Sequence, residues 1–180
     1  RPTQSGLQAH YSAIADTSEI PIVLYNVPAR TGCDLLPDTV GDLSIHPNII
    51  AIKEAVGDPD RWQQLYPLAS TSFSLLTGDD PTFVRTMAGG AQGVISVASN
   101  VVPAVFAKIC QLIMEGEIPV AGQWDSKLRP LYDFLAIEPN PIPVKAIMQK
   151  LELIDNHLRL PLMSITKHNL KVIVNVMEKS

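Results

Sequence analysis

The stretch Ile49-Ile50-Ala51-Ile52-Lys53-Glu54-Ala55 puts a lysine at the end of an apolar run. A buried ammonium is costly unless it is paired or neutralised, so this lysine needs a reason. Desolvation disfavours the charged form of a lysine, and the neutral amine can attack a carbonyl to form a Schiff base. The iminium then draws electrons from the adjacent carbon. Two further residues suit such chemistry. Tyr25, which opens Tyr25-Asn26-Val27-Pro28-Ala29-Arg30-Thr31-Gly32, carries a hydroxyl able to shuttle protons. Arg30 can hold a substrate carboxylate through two parallel hydrogen bonds. Gly78, in Thr77-Gly78-Asp79-Asp80, leaves open space where a side chain would crowd the lysine. Bland accounts stand beside these. A strand-terminal lysine commonly snorkels to water, and Glu54 has a simple use in pairing with Lys53 or capping the next helix.

These residues fall at the ends of four short apolar runs: IPIVLYN (20–26), NIIAIKE (48–54), FSLLTGD (73–79) and QGVISVA (92–98). Each is too short for a typical helix and rich in Ile, Val or Leu. Near-continuous hydrophobicity, without alternation, predicts parallel strands buried on both faces. The segments between them read as helices. LPDTVGDLSI opens on Pro37 and Asp38; GDPDRWQQLYPLA offers Asp58 as N-cap with Pro59 next; DDPTFVRTMAGG offers Asp80 and Pro81 and a glycine stop. A helix over SGLQAHYSAIADTS precedes the first strand. The repeating unit is βα, with spacings that fit right-handed crossovers. In such folds active residues gather at the C-terminal ends of strands, so Tyr25, Arg30, Lys53 and Gly78 converge on one rim, where the fourth strand ends at Ile95 and Ser96. A doubly wound sheet and part of an eight-fold barrel both explain four βα units.

Beyond the fourth strand the chain reads as helical: VPAVFAKICQLIMEG, IPVAGQWDSKLRPLYDFLAI, PIPVKAIMQKLELI and SITKHNLKVIVNVMEK. EPNPIPVK (138–145), with three prolines, reads as a rigid connector. We therefore divide the chain into an α/β part, 1–115, and a helical extension, 116–180.

Composition narrows the function classes. With 180 residues, 46% hydrophobic and 18% charged, the chain can bury one real core. A net charge of −4 advertises neither nucleic acid nor an anionic membrane surface. No apolar run is long enough to span a bilayer, and the opening RPTQSGLQAH lacks a signal-peptide core. Cys33 and Cys110 make neither a disulfide framework nor a zinc spacing, and the four histidines are scattered. A reducing, cytoplasmic setting is expected. The glycines of MAGGAQG (87–93) suggest a helix-to-strand turn; no Lys-Ser/Thr follows, as a phosphate-binding loop would need.

The ordered motifs LYNVPARTG, IIAIKEA, LLTGDD, GVISV and EPNPIPVK resemble the dihydrodipicolinate synthase (4-hydroxy-tetrahydrodipicolinate synthase) family of class I pyruvate aldolases, across essentially the whole chain. The resemblance implies the C-terminal part of a TIM (β/α)8 barrel, strands five to eight, followed by a helical extension. It implies condensation of pyruvate with aspartate semialdehyde on the route to diaminopimelate and lysine. Lys53 would be the Schiff-base residue and Tyr25 part of a proton relay. Arg30 would recruit the semialdehyde carboxylate, and Gly78 and Ile95 would line the pyruvate site. No organic cofactor is implied, because the covalent pyruvate imine on Lys53 is itself the electron sink. A monovalent cation near the strand ends is compatible with the family, with no ligands assigned; full-length relatives are commonly homotetramers. The arginine in the YNVP-x-R-T-G pattern favours the synthases over N-acetylneuraminate lyase, a related aldolase and the first alternative. A non-catalytic, truncated assembly module is the second. The family's first four strands, its threonine-bearing relay loop and its second tyrosine have no counterpart here.

Overall fold

The apolar runs fold as strands because their β-branched side chains pack well on a pleated surface. They are β1 (Ile22–Asn26), β2 (Ile49–Glu54), β3 (Ser74–Thr77) and β4 (Gly93–Val94), in a computed structural model that describes residues 1–171. The sheet order is β1-β2-β3-β4, all parallel. Each crossover carries helix: α2 (Pro28–Thr31) and α3 (Pro37–Ser44) after β1, α4 (Pro59–Leu65) after β2, and α5 (Phe83–Ala88) after β3. The leading helix, α1 (Gln4–Thr17), begins at Thr3, whose hydroxyl accepts the Gly6 N–H at 3.2 Å. Asp58 caps α4 by accepting the Asp60 N–H at 2.9 Å, and Pro59 follows it as expected.

The core lies on one face of the sheet. Leu24, Ile52 and Leu75, side by side in register, are buried, as are Val40 and Leu43 of α3, Trp62 and Leu65 of α4, and Phe83 of α5. Each such side chain contributes about 1.5–3 kcal/mol when taken fully out of water. The opposite face departs from the expectation of burial on both sides. Val23 is 42% exposed, Tyr25 45% and Ile95 43%. These side chains at the strand ends and the β1 edge stay partly open to solvent.

Two further expectations are corrected and one is refined. The fourth strand stops at Val94, where a run to Ala98 was expected. Ser96 and Ser99 turn the chain there: the Ser99 N–H donates to Ser96 Oγ at 2.8 Å and its hydroxyl to the Ser96 carbonyl at 3.2 Å. The segment 118–137 forms two helices, α7 (Ile118–Ser126) and α8 (Arg129–Leu135), with Pro130 accommodated in the first turn of the second. EPNPIPVK is only partly connector, because α9 (Ile142–Lys150) starts within it and takes Pro143 in its first turn.

The chain divides into two compact units, Arg1–Ile95 and a second beginning at Ser96. In the second, α6 (Pro103–Met114) packs on α7, and α8 and α9 pack together and on a single 3-10 turn, Ala98–Asn100. Phe106, Ile109, Leu131, Phe134 and Ile147 form its core. The last helix among the described residues, α10 (Lys167–Leu170), lies in the expected C-terminal helix; the rest of that segment extends beyond the described residues.

Candidate active site

Tyr25 and Lys53 are direct register partners at the ends of β1 and β2. Strand alternation sends both side chains to the open face. The Lys53 Nζ stands 4.3 Å from the centre of the Tyr25 ring. A cation so placed is drawn to the negative ring face, by about 0.5–1 kcal/mol at a wet site. Lys53 is half-buried, so it does not sit in the enclosed apolar pocket that the sequence suggested. Ile52, its neighbour in the strand, faces the other way, into the core.

Gly78 directly follows β3, and its N–H donates to the Glu54 carbonyl at 2.8 Å. A Cβ on Gly78 would lie 2.7 Å from Lys53 Cε and 3.3 Å from Cγ. The space that the glycine leaves is therefore filled by the lysine stem. Ile95 extends the ladder just past β4, with its N–H on the Thr77 carbonyl at 2.8 Å. Tyr25, Lys53, Gly78 and Ile95 thus stand at successive strand ends. Arg30 stands apart on α2, exposed, and makes no hydrogen bond or ion pair with Lys53 or Tyr25. Beside Tyr25 opens a cavity of about 480 Å³, lined by Leu7, His10, Tyr11, Asn26 and Cys33 among others. Lys53 and Arg30 do not line it.

Sequence reasoning missed the polar group on the covered side of the same strand ends. Asn26 and Glu54 are register partners, and both are buried. Asn26 donates to Glu54 Oε2 at 2.9 Å and to Asp34 Oδ1 at 2.8 Å, and accepts the Leu35 N–H at 3.0 Å. The second Glu54 oxygen accepts the Val56 N–H at 2.8 Å. Arg61 ion-pairs with Asp34, donates to the Leu35 carbonyl at 3.0 Å, and lies 3.9 Å from Glu54. Glu54 therefore does not pair with Lys53; alternation puts the two on opposite faces. Burial pushes the Glu54 carboxyl above its ordinary value, against the opposing pull of the Asn26 and Val56 hydrogen bonds and Arg61. The signal was available: an asparagine and a glutamate end two otherwise apolar runs, each beside a site residue. Among the described residues no cluster of His, Cys, Asp or Glu suits a metal ion, and no helix is long and apolar enough to cross a membrane.

The model of the dihydrodipicolinate synthetase family matches residues 1–180. The 4-hydroxy-tetrahydrodipicolinate synthase of Stenotrophomonas maltophilia is 50% identical over 166 residues, 92% of this chain and 56% of that enzyme. Its counterpart in Xanthomonas axonopodis is 51% identical over 92% of this chain and 55% of that enzyme. Among solved structures, the Acinetobacter baumannii dihydrodipicolinate synthase, complexed with pyruvate, matches with a TM-score of 0.95 at 38% identity. That match covers 99% of this chain and 62% of the other. A monomeric dihydrodipicolinate synthase variant matches equally well, with a TM-score of 0.95 at 37% identity over 99% of this chain and 61% of that one. The chain spans little more than half the length of the curated relatives it matches. With the family model running from its first residue to its last, and half of the 166 aligned residues shared with the Stenotrophomonas maltophilia synthase, the chain belongs to the dihydrodipicolinate synthetase family.

Proposed function

We propose that this chain carries the Schiff-base half of a 4-hydroxy-tetrahydrodipicolinate synthase, a lyase that condenses pyruvate with aspartate semialdehyde in lysine biosynthesis. The observation that carries the proposal is the register pairing of Tyr25 with Lys53, with the ammonium 4.3 Å from the ring centre. Names of relatives at about half identity agree with it, as does the pyruvate complex of the Acinetobacter baumannii enzyme. In this reading the four strands are strands five to eight of a (β/α)8 barrel. Residues 1–115 are its partial barrel and 116–180 its helical extension, in a cytoplasmic homo-oligomer.

The chemistry follows from the side chains. The neutral Lys53 amine adds to the pyruvate ketone, and the carbinolamine loses water to give an iminium. Loss of a methyl proton gives an enamine, whose carbon attacks the semialdehyde and forms the new carbon–carbon bond. Water releases the product and returns the amine. Tyr25, beside the nitrogen, carries protons in the addition and dehydration steps. Arg30 holds the carboxylate of the incoming semialdehyde, which its exposed place on α2 leaves it free to do. Gly78 and Ile95 line the pyruvate end of the site. No cofactor is required, because the imine supplies the electron sink.

Borohydride trapping tests the reading. After incubation with pyruvate and reduction, intact-mass analysis is expected to show one pyruvate adduct, mapped to Lys53 and absent in Lys53→Arg. No adduct here, with a Lys53-dependent one once the rest of the barrel is supplied, assigns the missing activity to an incomplete site. No adduct in either case overturns the aldolase reading.

A further inference from the structure

We propose that the buried Glu54–Asn26–Asp34–Arg61 network is a positioning device, which ties the strand end bearing Lys53 to the base of the loop bearing Arg30. The inference rests on the Schiff-base reading of Lys53. It concerns residues that touch neither substrate. Their work is done from the far side of the sheet.

The connection is short at each link. Lys53 and Glu54 are chain neighbours on β2, as are Tyr25 and Asn26 on β1. Slipping the two strands by one residue would send Lys53 into the core and Glu54 to the open face. The buried Asn26–Glu54 hydrogen bond of 2.9 Å holds the register that avoids this. From Asn26 the chain leaves as the loop that carries Arg30, and it returns at Asp34 and Leu35. Both ends of that loop meet on one side chain: the Asn26 amide donates to Asp34 at 2.8 Å and accepts the Leu35 N–H at 3.0 Å. Arg61 grips the same return point through Asp34 and the Leu35 carbonyl. Gln4 of α1 adds a third anchor, donating to the Asp34 carbonyl at 2.7 Å and accepting the Leu36 N–H at 3.1 Å. The closing end of the loop is thus held by polar bonds from three elements, while Arg30 at its middle stays exposed.

A simple need for stability does not account for these residue types. An apolar pair of similar volume would fill the space at no desolvation cost, and buried ionic groups are often less stabilising than such replacements. What an apolar pair lacks is direction. The Glu54 carboxylate serves two donors at once, Val56 N–H on one oxygen and Asn26 on the other. The Arg61 fork spans Asp34 and a backbone carbonyl in one plane. Such bonds fix distances and angles, as the spacing of an imine nitrogen and a carboxylate clamp requires.

The test uses the full chain, co-expressed with the part of a relative that completes the proposed barrel, with two substitutions of graded severity. Asp34→Asn keeps the shape and the acceptor facing Asn26 but loses the charge facing Arg61; Arg61→Ala removes the grip outright. Three readings are taken. These are hydrogen exchange of the amides of 27–35, the rate of borohydride-trapped pyruvate adduct at Lys53, and the semialdehyde concentration that half-saturates condensation. Both variants are expected to raise exchange in 27–35 at least tenfold relative to β2. They should raise the half-saturating semialdehyde concentration by a similar factor and leave pyruvate trapping within about threefold. Unchanged exchange in Asp34→Asn overturns the network's role whatever the activity. So does raised exchange with trapping and condensation lowered in step with melting temperature, which is the mark of a merely structural part. A parent chain that traps no pyruvate in any assembly overturns the Schiff-base reading, and this role with it. A parent that traps normally isolates the failure to the network.

Discussion

At the scale of single residues, the proposed site depends on what Gly78 lacks. A methyl group there would sit 2.7 Å from Lys53 Cε, closer than carbon atoms pack. Cε is the far end of a flexible stem, so the stem moves and the strand stays. Gly78→Ala is therefore expected to keep its melting temperature within a few degrees and to lose at least tenfold in the rate of pyruvate trapping. A large fall in melting temperature with normal trapping would contradict this. Glu54 gives a second residue-scale expectation. Its carboxyl is raised above the ordinary 4.5, chiefly by burial. The folded chain then holds that proton more tightly than the unfolded chain does. The stability this confers is complete below about pH 4.5 and is lost as pH rises through the folded value, beyond which the ionised form carries the cost of burial. The groups facing it are Asn26, the Val56 N–H, Arg61 and Asp34. Measured by urea unfolding across pH, wild type minus Glu54→Gln should be most favourable in acid and decline upward. A constant difference would show that Glu54 does not titrate between the folded and unfolded states.

At the scale of elements, packing at helix ends decides how much the sequence could reveal. The three earlier strand runs, the Asp58 and Pro59 helix start and the leading helix were legible, because periodicity and capping are local properties. The end of β4 was not. Ile95 through Ala98 continues an apolar pattern, and the turn depends on hydrogen bonds between two serines three residues apart. The open face was equally illegible, since continuous hydrophobicity cannot say whether a second layer is present. Lys53 and Tyr25 could be singled out by type and position. The Asn26–Glu54 pairing could not, because it needs the register. Two element-scale expectations follow from packing. Gly89 closes α5, and a Cβ there would meet the Tyr66 hydroxyl oxygen at 2.2 Å, where Tyr66 donates to the Thr86 carbonyl. Gly89→Ala should destabilise the chain by about 1–3 kcal/mol, as overpacking does, read in chemical unfolding. In the second unit, Glu138 Oε1 accepts from the Thr166 N–H and hydroxyl and from Asn169 at the start of α10. These bonds, that from the Thr166 N–H foremost, hold its carboxyl below the ordinary value. Their contribution is present above about pH 4.5 and is lost as pH falls through the folded value. Hydrogen exchange at Thr166 and Asn169 should accelerate in Glu138→Gln at neutral pH; unchanged exchange would show that the cap does not hold the helix.

At the scale of the whole molecule, the sheet raises the question that its residues cannot answer alone. Among the described residues β1 pairs only with β2, and β4 only with β3. Unpaired parallel edges with apolar side chains invite another strand, and a barrel removes edges by closing. The face that carries Tyr25 and Lys53 is also the exposed face, so the proposed site and the uncovered surface coincide. Water over that face competes for every hydrogen bond to substrate. Covering that face should therefore raise activity and solubility together. On the proposed reading, the segment to supply is the part of a relative, such as the Stenotrophomonas maltophilia enzyme, outside the 56% that this chain matches. Co-expressed with it, the chain is expected to sediment as a defined complex. Its rate of Lys53 adduct formation should rise at least tenfold over the chain alone, and condensation should become measurable. Alone, it should show a sedimentation coefficient that grows with concentration. Val23→Lys, a charge on the open face at the β1 edge, should suppress that growth. A chain that stays monomeric at all concentrations and traps pyruvate as fast as the complex would mean that four strands and one covered face suffice for the imine. The proposed barrel would then be needed only for the steps after it.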